Sequence, residues 1–274
     1  MARIGVVFSS GFFGFFAHAG FLRALRELGI EVSGYAGASS GAIVAAMAAS
    51  GMGDEAIRGV LFRLKKSDFW DPDPPRVLIR EVLRCFRGYS GYLKGVGFAR
   101  LLDRIPLRRI EDSPVPLVVA ATNLTRRRQE LFTKGDLGRA LQASGAVPML
   151  FKPVEIGGSL YVDGGVVNKA PLVGLADLLK PEKIIVHLIP SADMAGEGRG
   201  FLNRPLTPWH IQHLTFSICR YEAYKREQIL LRERGVQLLE VVADPPPVGP
   251  GSLTKGPLAY DKVYQRTLEI LRRS

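Results

Sequence analysis

A serine at position 39 and an aspartate at position 163 carry the clearest chemical signals in this chain. Ser39 stands in Gly37-Ala38-Ser39-Ser40-Gly41, between Glu31–Ala36, which reads as a buried strand, and Ala42–Ala49, which reads as a helix stopped by Gly51. A strand that turns at once into a helix lifts the serine hydroxyl out of the sheet, and glycine on either side lets neighbouring backbone close in. The first helical turn adds unpaired N–H donors and a partial positive charge, which suit an alkoxide or a developing oxyanion. Asp163 is followed directly by Gly164-Gly165. A carboxylate at a strand end before an uncrowded turn can reach a hydroxyl on another segment and act as its general base. Taken singly, each motif also describes an ordinary turn, one Gly-rich and the other Asp-Gly.

In this order and spacing the two motifs resemble those of the patatin-like phospholipases, lipid acyl hydrolases that use a Ser-Asp dyad. The resemblance runs over roughly residues 3 to 190 and takes in Leu117–Leu124, Ala143–Pro148 and Phe151–Val154. It implies Ser39 as nucleophile, Asp163 as base and a lipid or ester substrate. It also implies a three-layer α/β/α sandwich around a mostly parallel sheet, with an oxyanion hole made by the N-terminal glycine loop. That loop reads Ser10-Gly11-Phe12-Phe13-Gly14-Phe15, between a strand at Ile4–Phe8 and a helix at Ala17–Leu25. Phe12 stands where the family usually has glycine and Gly14 where it usually has Arg or Lys. Backbone amides of Gly11, Phe12 and Ser40 are therefore the expected oxyanion donors. Phe12, Phe13 and Phe15, with Phe16 beside them, are expected either to line an acyl-chain site or to pack into the core.

Other chemistries fit less well. The loop lacks the G-K-[ST] ending of a P-loop and the G-x-G-x-x-G spacing of a dinucleotide fold. His187 follows Asp163 in the order a Ser-Asp-His triad would take, but it sits inside the apolar run Lys183–Leu188, where a core histidine is expected. His18, just after the loop, is expected either to pack or to brace the loop. His210 and His213 share a helix face without carboxylate or cysteine neighbours, so no metal is expected, and no cofactor is implied. Two cysteines, Cys85 and Cys219, imply no disulfide framework.

The coarse pattern is strand, helix, strand, helix to Gly51, then a helical stretch from Asp54 to about Leu102 broken by Pro72, Pro74 and Pro75. Strands are expected at Leu117–Ala121, Glu130–Phe132, Lys183–Leu188 and Val236–Val242, and helices at Leu172–Leu179, Pro208–Arg234 and Tyr260–Arg272. Ser191–Pro205 reads as a mobile loop. The whole, residues 1–274, is expected to form one catalytic domain carrying a helical, basic insertion at about 54–110.

The net charge of +11 is uneven: residues 76–110 hold nine basic and two acidic side chains. Arg76, Arg80, Arg84 and Arg87 are expected on one side of a helix, with Ile79, Val82, Leu83 and Phe86 on a neighbouring side. Such a helix either lies on an anionic membrane or packs on the sheet with its basic side solvated. Without a nucleic-acid motif or aromatic-interleaved basic stripe, nucleic acid is not an expected partner. With no apolar run long enough to span a bilayer, the expected location is cytoplasmic, with peripheral contact at the inner membrane surface. A lipid- or membrane-binding module with weakened catalysis is the alternative to an active hydrolase.

Overall fold

The computed structural model describes residues 3–85, 87–190 and 207–273, with side chains left undescribed at 78, 209 and 210. The expected loop at Ser191–Pro205 lies outside the described residues, as do Phe86 and the side chain of His210. In chain order the elements are β1 (Ile4–Phe8), α1 (Phe15–Glu27), β2 (Gly34–Ala38), α2 (Ser40–Ala49), α3 (Asp54–Leu61), α4 (Pro75–Leu83), β3 (Gly91–Leu93) and α5 (Val96–Leu102). They continue with β4 (Leu117–Asn123), β5 (Arg128–Phe132), α6 (Leu137–Ser144), β6 (Met149–Phe151), β7 (Val154–Ile156), β8 (Ser159–Asp163) and α7 (Leu172–Leu179). The last are β9 (Lys183–Leu188), α8 (Pro208–Glu233), β10 (Gln237–Val242) and α9 (Gly256–Leu271).

The main sheet runs β10-β9-β1-β2-β4-β8-β7, with β5 also paired to β4. Pairings from β10 through β4 are parallel, whereas β5, β8 and β7 join antiparallel, so the sheet is mixed around a parallel core. Both of its faces are covered, which is why the two innermost strands, β1 and β2, carry only apolar residues, glycine and Tyr35. Val6 and Phe8 of β1 point into one core with α1, α2 and α9, while Val7 points into a second core with α7 and α8. The same alternation separates Leu117 and Val119 from Val118 on β4. Three layers result.

The segment 54–110 departs most from expectation. Beyond the break expected at its prolines, which separates α3 from α4, it holds a strand that was not expected, β3 between α4 and α5, and β3 pairs in parallel with β6 in a second small sheet. Gly91 permits that pairing, since a Cβ there would stand 2.3 Å from the Phe151 backbone. The helix bearing the arginines ends at Leu83 rather than reaching Arg87. Arg84 is its C-cap, and Cys85 and Gly88 at φ of +50° and +81° turn the chain away. Arg84 and Arg87 therefore do not continue the stripe begun by Arg76 and Arg80.

Candidate active site

Register brings the two motifs together across 124 residues of chain. Ala38 at the end of β2 pairs with Ala120 of β4, and the next β4 residue, Ala121, pairs with Asp163 at the end of β8. Small side chains on β4 leave space between the flanking strand ends. The Ser39 hydroxyl donates to Asp163 Oδ2 at 2.6 Å, and both residues are buried. No imidazole intervenes.

Ser39 occupies φ +55°, ψ −126°, a region that costs a non-glycine residue about 1–3 kcal/mol. Surrounding groups hold it there. Its N–H donates to Ser144 Oγ at 2.8 Å. A Cβ at Gly37 would stand 2.4 Å from the Gly41 carbonyl carbon, and one at Gly41 would stand 2.5 Å from the Phe8 and Ser9 carbonyls. Both glycines are thus required by close packing of β2, α2 and the end of β1. The turn aims the hydroxyl outward while α2 begins at Ser40 behind it.

Asp163 Oδ1 accepts the Gly165 N–H at 2.6 Å, leaving Oδ2 for the serine. Burial pushes the carboxyl from 3.8 up to about 6, against the pull of the Ser39 and Gly165 hydrogen bonds and of nearby Arg220 and Lys169. A base of that strength is ionised at neutral pH and still accepts a proton readily.

The N-terminal loop closes the other side. Gly14 N–H bonds the Gly11 carbonyl, which also accepts the Ser40 hydroxyl at 2.6 Å. Gly11, Phe12, Ser39 and Ser40 line one cavity together with Phe13 and Phe15, enclosing about 850 Å³ with its open mouth. Phe16 points instead into the core against Phe62 and Gly256. The rest of the cavity wall is almost wholly apolar. Leu61, Leu64, Phe69, Trp70, Phe98, Leu101, Leu102 and Ile105 come from the 54–110 segment, and Leu150 and Phe151 from β6. Phe12 stands at the mouth, 58% exposed.

His187 lies elsewhere. Its Nδ1 is 2.7 Å from Nδ1 of His18, whose Nε2 is 2.8 Å from the Ser9 carbonyl. Since that carbonyl only accepts, His18 donates through Nε2 and receives the His187 Nδ1–H. Burial holds both rings neutral, His187 down to about 3. The pair braces the strand end that leads into the loop. Among the described residues no cluster of metal ligands is present.

The four arginines are all exposed and none lines the cavity. On α4 the apolar side is also exposed, at 64% for Ile79, 53% for Val82 and 81% for Leu83, while Glu81 is buried. Ser144, the Ser40 hydroxyl and Lys169 are site residues that the motifs alone did not single out. Their only sequence signal is proximity, Ser40 and Lys169 to the two motifs and Ser144 to the segment between them.

The patatin-like phospholipase family profile matches residues 6–176, a span that holds the loop, Ser39 and Asp163. An uncharacterized NTE family protein of Mycobacterium tuberculosis is 30% identical over 191 residues, covering 68% of this chain and 49% of that protein. Lysophospholipase NTE1 of Cryptococcus neoformans is 28% identical over 178 residues, 64% of this chain and 10% of that one. The chain thus spans about half the length, or less, of these curated relatives. Among solved structures, VipD from Legionella pneumophila superposes over 99% of this chain and 67% of its own with a TM-score of 0.54 at 16% identity, a likeness of fold. No helix among the described residues is long and apolar enough to cross a membrane. With its profile matched over more than half the sequence, the chain belongs to the patatin-like phospholipase family.

Proposed function

We propose that the protein is a serine acyl hydrolase that cleaves carboxylic esters of lipids, with Ser39 as nucleophile and Asp163 as general base. The observation that carries this is the direct 2.6 Å hydrogen bond from a strained, helix-capping serine to a buried carboxylate with a raised pKa. Asp163 takes the hydroxyl proton as Ser39 Oγ attacks the ester carbonyl. The tetrahedral oxyanion is held by amides of Gly11, Phe12 and Ser40. Collapse breaks the ester C–O bond, the proton passes from Asp163 to the leaving alcohol, and an acyl-enzyme remains. Water, deprotonated by Asp163, releases the acid and restores the serine.

The apolar wall favours an acyl chain over a polar acyl group. The exposed Ile79, Val82 and Leu83 beside Arg76 and Arg80 favour peripheral contact with an anionic membrane. Hydrolysis of 4-nitrophenyl esters and of lysophospholipid, lost in Ser39→Ala and Asp163→Asn, tests the reading. A folded wild-type protein that binds lipid vesicles without hydrolysing either substrate would favour a lipid-binding module instead.

A further inference from the structure

Behind the N-terminal loop lies a lysine to which the reaction above gives no part. Lys169 is 2% exposed, yet its ammonium donates to the Ser10 carbonyl at 2.6 Å, and its own carbonyl accepts the Ser10 N–H at 2.8 Å. The Ser10 carbonyl and the Gly11 N–H belong to one peptide unit. In a trans peptide these groups point in opposite directions, and no described peptide bond is cis. A cation on the carbonyl therefore stands at the back of the Gly11 N–H, fixes its direction and makes it a stronger donor.

The next peptide repeats the arrangement without the charge. Ser40 Oγ donates to the Gly11 carbonyl at 2.6 Å, and the other end of that unit is the Phe12 N–H. Among the described residues, neither the Gly11 nor the Phe12 N–H has a protein acceptor, and both residues line the cavity beside Ser39. Residues 9–14 contain no charged side chain of their own. Burying an ammonium is costly unless it is hydrogen-bonded and compensated. Here burial and the repulsion of Arg220 bring the lysine from 10.5 down to about 7 against the pull of Asp163, while the Ser10 carbonyl and the Tyr221 ring 5.6 Å away favour its charged form.

We propose that Lys169 is a positioning residue of the oxyanion hole, delivering positive charge to the Gly11 N–H through the Ser10–Gly11 peptide. The proposal rests on Ser39 being the nucleophile. Its test uses the intact chain, 4-nitrophenyl butyrate and a fluorophosphonate probe, with kcat read at the maximum of each protein's pH profile, where Asp163 at about 6 is ionised and Lys169 at about 7 still holds its proton. Lys169→Met is expected to lower kcat about 10- to 100-fold with KM within about threefold, somewhat less than the 10²–10³ lost with a whole donor. Ser39 labelling should slow in proportion. Lys169→Arg, which keeps a cation, should recover at least about tenfold over Met, a rescue that a purely structural lysine would not show. Should Lys169→Met fail to fold, Lys169→Gln, a neutral donor, takes its place, again expected about 10-fold or more below wild type. A wild-type kcat in the neutral variant, or Arg no better than that variant, would overturn the proposal. Wild-type protein that the probe leaves unlabelled at Ser39 would instead overturn the reading on which it rests.

Discussion

The cavity has two ends built on different principles. At the polar end, Ser39, Asp163 and the loop are held by strand ends of the mixed sheet, by glycines with no room for a side chain, and by buried hydrogen bonds to Ser144, Gly165 and Ser40. The far wall is assembled from separate short helices of the 54–110 segment, joined by apolar contact. The first end fixes atoms to fractions of an ångström, as proton transfer demands. The second needs only shape and apolarity, so it tolerates variation. Fixation at the polar end also opposes stability, because a strained serine and a desolvated carboxylate are both less comfortable folded than unfolded.

The contrast can be broken most severely at the polar end. Ser39→Ala and Asp163→Asn are each expected to remain folded and to lose about 10⁴-fold or more of kcat on a soluble ester. Asp163→Asn carries a second signature. A carboxyl whose pKa is about 6 folded and 3.8 unfolded binds its proton more tightly in the fold. Its contribution to stability is therefore present below about pH 4 and is lost as pH rises to about 6. Asparagine removes that loss, so the variant should melt higher than wild type at pH 7, by up to about 3 kcal/mol of stability, with little difference at pH 4. Thermal melts across that range check the sign. In the wild type, kcat/KM should rise as Asp163 ionises near pH 6 and fall again above about 7 as Lys169 loses its proton.

Next in size is the outer surface. Replacing Arg76, Arg80, Arg84 and Arg87 with Gln is expected to weaken partitioning onto anionic vesicles at low salt, by about a thousandfold at most, with the difference shrinking as salt is added. Because α4 ends at Leu83, Ile79→Ser and Leu83→Ser should weaken it further while Arg87→Gln alone should do least. Co-sedimentation that is equal for wild type and variants would make this a solvated face.

Smaller effects are expected at the apolar wall. Leu101→Trp narrows the cavity and should lower kcat/KM for a 4-nitrophenyl ester with a twelve-carbon chain about tenfold, leaving the four-carbon ester within about twofold. A uniform loss across chain lengths would mean that this wall does not hold the acyl group. Smallest of all is His187→Ala: it should cost several degrees of melting temperature through an orphaned His18, yet keep kcat within about tenfold while folded.

How much of this was legible follows the same division. The parallel core and the Ser39–Asp163 pairing could be read because sheet strands and elbow glycines leave short, ordered motifs. In the 54–110 segment the helices and their break at the prolines could be read, but β3 could not, because it is three residues long and its partner β6 lies nearly sixty residues away. The arginine stripe was misread because helical periodicity continues through Cys85, whose positive φ no side-chain pattern announces. The phenylalanine question left open resolves by position, since Phe12, Phe13 and Phe15 line the cavity, Phe15 also packing in the core, and Phe16 lies in the core alone. Ser144 and Lys169 could not be given roles, because each acts on backbone atoms more than a hundred residues away.

If Ser39 is the nucleophile we propose, Asp163 activates it by holding its proton. Treatment with a fluorophosphonate, followed by peptide mass spectrometry, addresses it most directly. A single adduct on Ser39 is expected in the wild type, with labelling slowed by orders of magnitude in Asp163→Asn, although that variant is at least as stable. An adduct on another serine, or equal labelling of Ser39 in both proteins, would contradict it.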